Sequence, residues 1–177
     1  MIEGFLTMQP VDPLLNRRRF QLGLAAAAAL GLSGCGPSNA APASRFLLLD
    51  GSTLSEADLR GQVTLVNFWA TSCVSCVRKM PDLVATYLKY RERGFETIAV
   101  AMSFDPPAMV ANFAQTRQLP FKVALDHTGA LARDWGGVRL TPTTFVVDRQ
   151  ARIVKRYLGP IDPAALNAFI EGLLARR

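Results

Sequence analysis

Two cysteines separated by two residues follow directly on an apolar run, in the stretch WATSCVSCVRKMP from Trp69 to Pro81. Residues 62–69, QVTLVNFW, are rich in β-branched and aromatic side chains, which predicts a strand buried on both faces. From Cys76 onward the apolar residues recur at helical spacing, which predicts a helix that ends at Gly94. The predicted buried face consists of Cys76, Met80, Leu83, Val84, Tyr87 and Leu88. The pair is therefore expected at a strand-to-helix corner, on the first turn of the helix.

Beyond this corner the chain alternates predicted strands and helices and then ends in a hairpin and a helix. The predicted strands are 62–69, 96–102, 121–125, 143–148 and 152–158, preceded by a small hairpin around FLLLDGSTL. Asp105, followed by two prolines, predicts the N-cap of a helix whose Met109, Phe113 and Ala114 face inward. Asp162 predicts the N-cap of the last helix. This order predicts an α/β domain with a mixed central sheet and helices on both faces.

A thiol on the first turn of a helix meets unsatisfied backbone N–H groups and the positive end of the helix dipole, which both favour the thiolate. The pKa of such a thiol is expected to fall below its free value of about 8.5. Cys73 lies at the exposed end of the predicted turn, and Cys76 points back toward the body of the protein. Cys73 is therefore the predicted nucleophile of a dithiol exchange, and Cys76 is the resolving thiol that releases the product.

A metal site is the main alternative for the two cysteines. A structural zinc site needs four ligands, and after its amino-terminal segment the chain offers two thiols and His127, which lies in a polar turn. A Cu(I) site that uses the thiols with Met80 or Met102 stays open, although periodicity places both methionines on buried faces. A copper-handling or chaperone-like binding module is thus one alternative function, and a thiol peroxidase is another.

The stretch VNFWATSCVSCVRKMP, followed further along by TPTTFVVD, resembles the thioredoxin superfamily, and more closely its TlpA/ResA-like, membrane-tethered thiol–disulfide oxidoreductases, or redoxins. The likeness spans about residues 46–175 and includes the lead-in DLRGQVTLVNFW. It implies a thioredoxin-like fold with an N-terminal β-hairpin extension, and an enzyme that exchanges disulfides through its CxxC pair without a cofactor. It also implies that Pro142 is a cis-proline facing the disulfide and that Thr141 offers its backbone to an extended substrate segment. Trp69 is implied to border the reactive sulfur as part of the substrate-binding surface.

The sequence departs from the patterns of the thioredoxin superfamily in three ways. The VS pair between the cysteines lacks the proline of the commonest thioredoxin sequence, so the resemblance does not set the redox potential. Asn67 stands where cytoplasmic thioredoxins keep a buried acid, although asparagine is common there in the membrane-tethered relatives. Lys79 occupies the position where many relatives carry a glutamate thought to help proton transfer, so a carboxylate relay cannot be carried over. A cation near the pair is expected to favour the thiolate, which makes Lys79 a candidate for tuning the cysteine pKa.

The amino-terminal stretch NRRRFQLGLAAAAALGLSGCG has the build of an export signal, with a basic cluster, an Ala/Leu/Gly run and a small-residue site. The apolar run, Leu22–Leu32, is about half of the roughly 20 residues that a spanning helix needs. LSGC resembles the lipobox of bacterial lipoproteins, which implies lipid attachment at Cys35, and RRRF resembles a twin-arginine signal. The predicted organisation is an export signal over 1–35, a flexible tether over 36–44 and a thioredoxin-like domain over 45–177.

The charge balance after the export signal is mildly basic. Residues 1–35 carry three Arg and two acids, so the remainder has 17 Lys and Arg against 12 Asp and Glu, a net charge of +5. These charges are scattered without dense basic clusters or interleaved aromatics, which argues against a nucleic-acid partner. The expected protein is lipid-anchored to a membrane on the periplasmic side of the cell envelope and reduces disulfides in exported proteins. The resemblance implies service in cytochrome c maturation or copper-site assembly, and an oxidising compartment implies re-reduction by a membrane electron donor.

Overall fold

The structure, a computed structural model, describes residues 39–176. Within them one sheet of seven strands runs in the order β2-β1-β5-β4-β3-β6-β7. The strands are β1 (Arg45–Leu48), β2 (Thr53–Ser55), β3 (Val63–Trp69), β4 (Phe95–Ala101), β5 (Lys122–Leu125), β6 (Thr143–Val147) and β7 (Ile153–Leu158). The α-helices are α1 (Val74–Tyr90), α2 (Pro107–Thr116), α3 (Ala130–Asp134) and α4 (Pro163–Leu174). Short 3-10 helices, Glu56–Leu59 and Arg91–Arg93, follow β2 and α1.

The centre of the sheet is parallel and its flanks are antiparallel. β3 pairs with β4, and β4 with β5, in parallel, whereas β6 pairs antiparallel with both β3 and β7. The amino-terminal hairpin of β1 and β2 extends the opposite side through antiparallel pairing with β5. The predicted mixed α/β sheet and the hairpin around FLLLDGSTL are therefore confirmed.

β3 lies at the centre of the core, since all seven of its residues are buried. Successive side chains of a strand point to opposite faces of the sheet. Val63 packs in a cluster with Ile170 of α4, and Phe68 packs in another cluster with Trp135, which follows α3. The continuous apolar run of this strand therefore reflects burial on both faces, as the sequence predicts.

The end of α1 differs from its predicted apolar face at one residue. Leu88 is 48% exposed, whereas Tyr90 is buried. The buried stripe of the helix continues from Tyr87 to Tyr90 at a spacing of three residues, which leaves Leu88 at the margin. Gly94 adopts a left-handed conformation with φ of 83° after the short 3-10 helix, and it ends the helical segment as predicted.

The start of α2 corrects a second prediction. Asp105 is not the N-cap of this helix, because its carboxylate is bound elsewhere, and Pro106 takes the N-cap position instead. Met109, predicted to face inward, is 54% exposed, and Val110 is buried in its place. The buried stripe thus begins at Val110, which lies three and four residues before the half-buried Phe113 and Ala114, and Met109 falls outside it.

Residues 39–44 belong to the folded domain, which corrects the prediction of a flexible tether over 36–44. The backbone N–H of Ala41 donates to the carbonyl of Ala151 over 2.8 Å, and that of Ile153 donates to the carbonyl of Asn39. The buried hydroxyl of Ser44 accepts a 2.8 Å hydrogen bond from the indole N–H of Trp135. Small, polar residues predict an unpacked segment, but these contacts use the backbone and one hydroxyl, which such residues retain.

The expected export signal, with Cys35 and the basic cluster, lies outside the described residues, as do residues 36–38. Within the part that is described, no helix is both long enough and apolar enough to cross a membrane.

The short helix α3 was not predicted from the sequence. It is anchored by the buried carboxylate of Asp126, which accepts hydrogen bonds from the backbone N–H groups of Leu131 and Ala132.

Candidate active site

The two cysteines lie at the junction between β3 and α1. Cys73 is the N-cap residue of α1, which begins at Val74, and Cys76 lies on the first turn of the helix. The backbone N–H of Cys76 donates to the sulfur of Cys73 over 3.2 Å. A helix-start donor without a partner inside the helix therefore faces Cys73. The strand-to-helix corner and the first-turn position predicted from the sequence are confirmed.

Cys73 and Cys76 form a disulfide, with a Cα–Cα separation of 5.2 Å. The two cysteines differ in exposure, because Cys73 is half-buried whereas Cys76 is only 3% exposed. A second protein therefore reaches Cys73 first. This difference supports the assignment of Cys73 as nucleophile and of Cys76 as resolving thiol.

The loop ahead of β6 lies against the disulfide. The antiparallel register places Phe68 opposite Thr143, so the residues just before Thr143 come next to the turn that carries Cys73. The sulfur of Cys73 is 3.6 Å from the carbonyl oxygen of Thr141. The peptide bond between Thr141 and Pro142 is cis, and Pro142 is buried. The structure thus brings both residues that the resemblance singled out to the cysteine pair.

Trp69 lies beneath the site rather than on its surface. Its side chain is 0% exposed and packs in the cluster that contains Cys76 and Met80, against which Cys73 also packs. Its ring centroid is 5.0 Å from that of Phe113 in α2. A side chain without accessible surface offers nothing for a substrate to contact. In this disulfide form the ring borders the cysteine pair and supports it from below, and the substrate-binding role expected of Trp69 stays a prediction.

The turn that carries Cys73 is held by a carboxylate from the loop after β4. Asp105 is buried and accepts 2.6 Å hydrogen bonds from both the backbone N–H and the hydroxyl of Thr71. Hydrogen bonds to an ionised acceptor are about twice as strong as neutral ones. Sequence reasoning missed this contact because an aspartate before two prolines matches an N-cap, and nothing local in the sequence points to Thr71 as its partner.

A small pocket of about 30 Å³, lined by apolar side chains and a few polar ones, adjoins Cys76. The buried Asn67 lines it and donates from its amide to the hydroxyl of Thr144 over 2.8 Å. Lys79 and Asp82 also line the pocket, and the ammonium of Lys79 lies 2.9 Å from the carboxylate of Asp82. The cation expected near the pair is therefore present, but it is paired with a carboxylate that the sequence analysis did not single out.

The side chains considered as metal ligands are not gathered at the pair. Among residues 39–176, no group of three or more His, Cys, Asp or Glu side chains is arranged to hold a metal ion. His127 is exposed in the turn after β5. Met80 and Met102 are buried, as their periodicity predicts, and they belong to different core clusters.

Comparison with known proteins identifies the family. The Redoxin family model matches residues 37–170. The chain belongs to the redoxin family. This redoxin is 30% identical over 123 residues to the thiol-disulfide oxidoreductase ResA of Bacillus thuringiensis, and the match covers 70% of each chain. It is 34% identical over 123 residues to the thiol:disulfide interchange protein HelX of Rhodobacter capsulatus, covering 68% of this chain and 66% of the other.

Solved structures that are similar to this chain support the same family. A thiol:disulfide interchange protein of the thioredoxin family from Chlorobium tepidum superposes with a TM-score of 0.71 at 28% identity, covering 79% of this chain and 99% of the other. The thioredoxin-like fold implied by the sequence is therefore confirmed. With its family, its relatives and its close pair of Cys73 and Cys76, this redoxin is a thiol–disulfide oxidoreductase.

Proposed function

We propose that this redoxin is anchored through a lipid on Cys35 at the periplasmic face of a membrane, where it reduces disulfide bonds in exported proteins. The export signal and lipobox within residues 1–35 support the location, and the exchange chemistry of the family supports the reaction. The observation that carries the proposal is the accessible sulfur of Cys73 at the start of α1, with Cys76 buried behind it and the Thr141 carbonyl beside it.

The reaction begins in the dithiol form, with the thiolate of Cys73 facing the N–H donor at the start of α1. It attacks one sulfur of a substrate disulfide, so a bond forms between Cys73 and that sulfur while the second substrate sulfur leaves and takes up a proton. Cys76 then attacks Cys73, which forms the Cys73–Cys76 disulfide and releases the first substrate sulfur as a thiol. The substrate gains two electrons from the two cysteines and two protons. Cys76 releases one proton, and solvent, which took up the Cys73 proton when the thiolate formed, supplies the other.

A polypeptide substrate is supported by the surface next to Cys73. Val74, directly after Cys73, is 70% exposed, and Leu140, directly before Thr141, is 67% exposed. Apolar side chains this exposed on both sides of a reactive sulfur favour contact with apolar residues of a partner chain. Exposed backbone beside a sheet is also a common means of holding an extended segment. These features fit disulfide-bearing proteins better than small-molecule disulfides.

Turnover requires a supply of electrons, because each reaction leaves the Cys73–Cys76 pair oxidised. In an oxidising compartment the soluble thiol pool does not restore the dithiol, so a dithiol donor in the membrane is the proposed partner. The resemblance to membrane-tethered redoxins favours cytochrome c maturation or copper-site assembly as the setting for the substrate proteins.

The direction of exchange is tested by the reduction potential of the Cys73–Cys76 couple. Equilibration of the purified protein in dithiothreitol buffers, followed by alkylation of free thiols, is expected to give about −270 mV, a value typical of a thioredoxin-type reductant. A reductant needs such a low potential because its electrons must flow to the disulfides of other proteins. A value near about −120 mV, typical of a strong oxidant, would overturn the proposed direction.

The proposed anchor is tested by Cys35→Ser in the full chain, expressed in a bacterium that processes lipoproteins. The parent protein is expected in the membrane fraction, with labelled palmitate incorporated. The variant is expected to lose the label, because no other lipid site is proposed. Cys73→Ser is the matched control, which keeps both the label and the membrane location. A Cys35→Ser variant that still incorporates labelled palmitate would contradict lipid attachment at Cys35.

A further inference from the structure

We propose that Asp82 is the proton acceptor for Cys76 when the mixed disulfide with a substrate is resolved. This inference rests on the proposed function, since it assigns Cys76 the resolving step. It adds a residue that neither the CxxC motif nor the resemblance points to, because Asp82 lies six residues after Cys76 and one helical turn beyond Lys79.

The need for an acceptor follows from the position of Cys76. Its side chain is 3% exposed and packs in an apolar cluster with Trp69 and Met80. Burial among apolar groups favours a neutral thiol, yet only a thiolate attacks the mixed disulfide at Cys73. The helix-start N–H of Cys76 is directed at the sulfur of Cys73, so it stabilises a thiolate there and not on Cys76 itself. Cys76 must therefore give up its proton to another group.

The pocket beside Cys76 contains few groups that titrate. The lining side chains that come from β3, β6 and α4 are neutral. The same is true of the residue before β6, of the loop before α4, and of the other α1 side chains that line the pocket. These neutral lining residues are Asn67, Leu83, Thr86, Pro142, Thr144, Gly159, Pro160, Ile161, Pro163 and Leu166. Apart from Cys76, only Lys79 and Asp82 on the wall of this pocket ionise. A charged ammonium has no lone pair to accept a proton, whereas a carboxylate does. The acceptor role therefore falls to Asp82.

The pocket provides the route between the two groups. Its volume of about 30 Å³ is enough for a bridging water, which needs about 10–15 Å³ and two to four polar partners. The amide of Asn67, the hydroxyl of Thr144 and the Lys79–Asp82 pair supply those partners. The carboxylate of Asp82 is 41% exposed, so a proton received from the pocket passes on to solvent. The ammonium of Lys79, 2.9 Å away, holds this carboxylate at the mouth of the pocket.

The step balances without a further reagent. The S–H bond of Cys76 breaks, and its proton passes through one water to the carboxylate of Asp82. The resulting thiolate attacks the sulfur of Cys73, the Cys73–Cys76 bond forms, and the substrate sulfur leaves with the electron pair of the broken bond. Asp82 then releases its proton to solvent, and the departing substrate thiolate takes up a proton in turn.

The test is Asp82→Asn, with oxidised glutathione as the probe disulfide and the full chain in its reduced form. Acid-quenched samples analysed by mass spectrometry follow the Cys73–glutathione adduct as it forms and decays. At neutral pH its decay is expected to slow by about 10²-fold, the lower end of what a positioned acid–base group contributes. The loss is expected to shrink as the pH rises, because hydroxide takes over the proton. Asp82→Glu, which keeps a carboxylate, is expected to restore most of the rate.

The sign of the effect separates proton transfer from simple electrostatics. Removing a negative charge beside a thiol favours its thiolate, so a purely electrostatic role for Asp82 predicts faster decay of the adduct. Unchanged or faster decay in Asp82→Asn would therefore overturn the inference. Asp134→Asn removes an exposed carboxylate that does not line the pocket, and it is expected to leave the decay unchanged.

The first step is measured separately in the Cys76→Ser background, where the adduct forms and does not resolve. Adding Asp82→Asn to that background is expected to leave adduct formation within about twofold, because Asp82 acts after the first attack. If the parent protein forms no adduct at Cys73, the proposed function itself fails. Normal adduct formation with an unaltered decay in Asp82→Asn overturns only the role of Asp82.

Discussion

Replacing Cys73 by serine is expected to reduce disulfide exchange to the uncatalysed rate. A serine hydroxyl stays protonated at neutral pH and is a far weaker nucleophile than a thiolate, so no mixed disulfide forms. The N–H donor at the start of α1 cannot compensate, because it favours a thiolate that the variant no longer has. Reduction of insulin disulfides by dithiothreitol, followed as turbidity with and without the protein, measures the loss.

The matched variant is Cys76→Ser, which makes the same change at the other sulfur. The half-buried Cys73 is still available for attack, so the first step proceeds and the reaction stops at the mixed disulfide. This product is expected as a covalent adduct on non-reducing gels that dithiothreitol removes. Full exchange activity in either variant would contradict a mechanism that uses both Cys73 and Cys76.

Replacing Trp135 by alanine is expected to lower the free energy of unfolding by about 3–5 kcal/mol, the range measured for large aromatic residues in protein cores. Its side chain is 1% exposed. The ring contacts three other aromatic rings, at centroid distances of 5.2 to 6.2 Å, from Phe46, Phe68 and Phe145. These neighbours come from β1, β3 and β6, so the cavity left behind opens between three strands. Urea unfolding followed by circular dichroism measures the change.

Trp135→Phe separates packing from hydrogen bonding at the same position. It keeps an aromatic ring but leaves the buried hydroxyl of Ser44 without its indole donor, which costs about 1–3 kcal/mol. A stability loss for Trp135→Ala no larger than that of Trp135→Phe would show that the ring contacts contribute little. The order expected from the structure is therefore parent, phenylalanine variant, alanine variant.

The central strand and the reactive helix could be predicted from the sequence because their signals are local. A continuous apolar run marks β3, and helical periodicity from Cys76 marks α1, so the corner between them follows without knowledge of the rest of the chain. The TPTTF motif adds the loop of Thr141 and Pro142 only through resemblance. Nothing local shows that this loop packs against Cys73, because that depends on the register of β3 with β6.

The roles of some residues could not be predicted, because these roles depend on partners far away in the sequence. Asp105 matches the pattern of a helix N-cap until its hydrogen bonds to Thr71 are known. The residue of α2 that is buried is Val110 and not Met109. Asp82 is an ordinary charged residue on a helix until the fold places the pocket beside it. Local patterns predict which elements form, but they do not predict which polar side chains meet across elements.

The pairing of Asn39 with Ile153 shows at which end of the sheet the described chain begins. β6 runs from Thr143, near the disulfide, to Val147, whose partner across the hairpin is Ile153. The amino-terminal residues therefore join the domain at the end of the sheet opposite to the reactive sulfur. Residues 36–38 leave at most about 14 Å of chain between Cys35 and Asn39. If Cys35 carries the proposed lipid, Asn39 is held near the membrane, and a donor of electrons must reach a sulfur at the other end of the sheet.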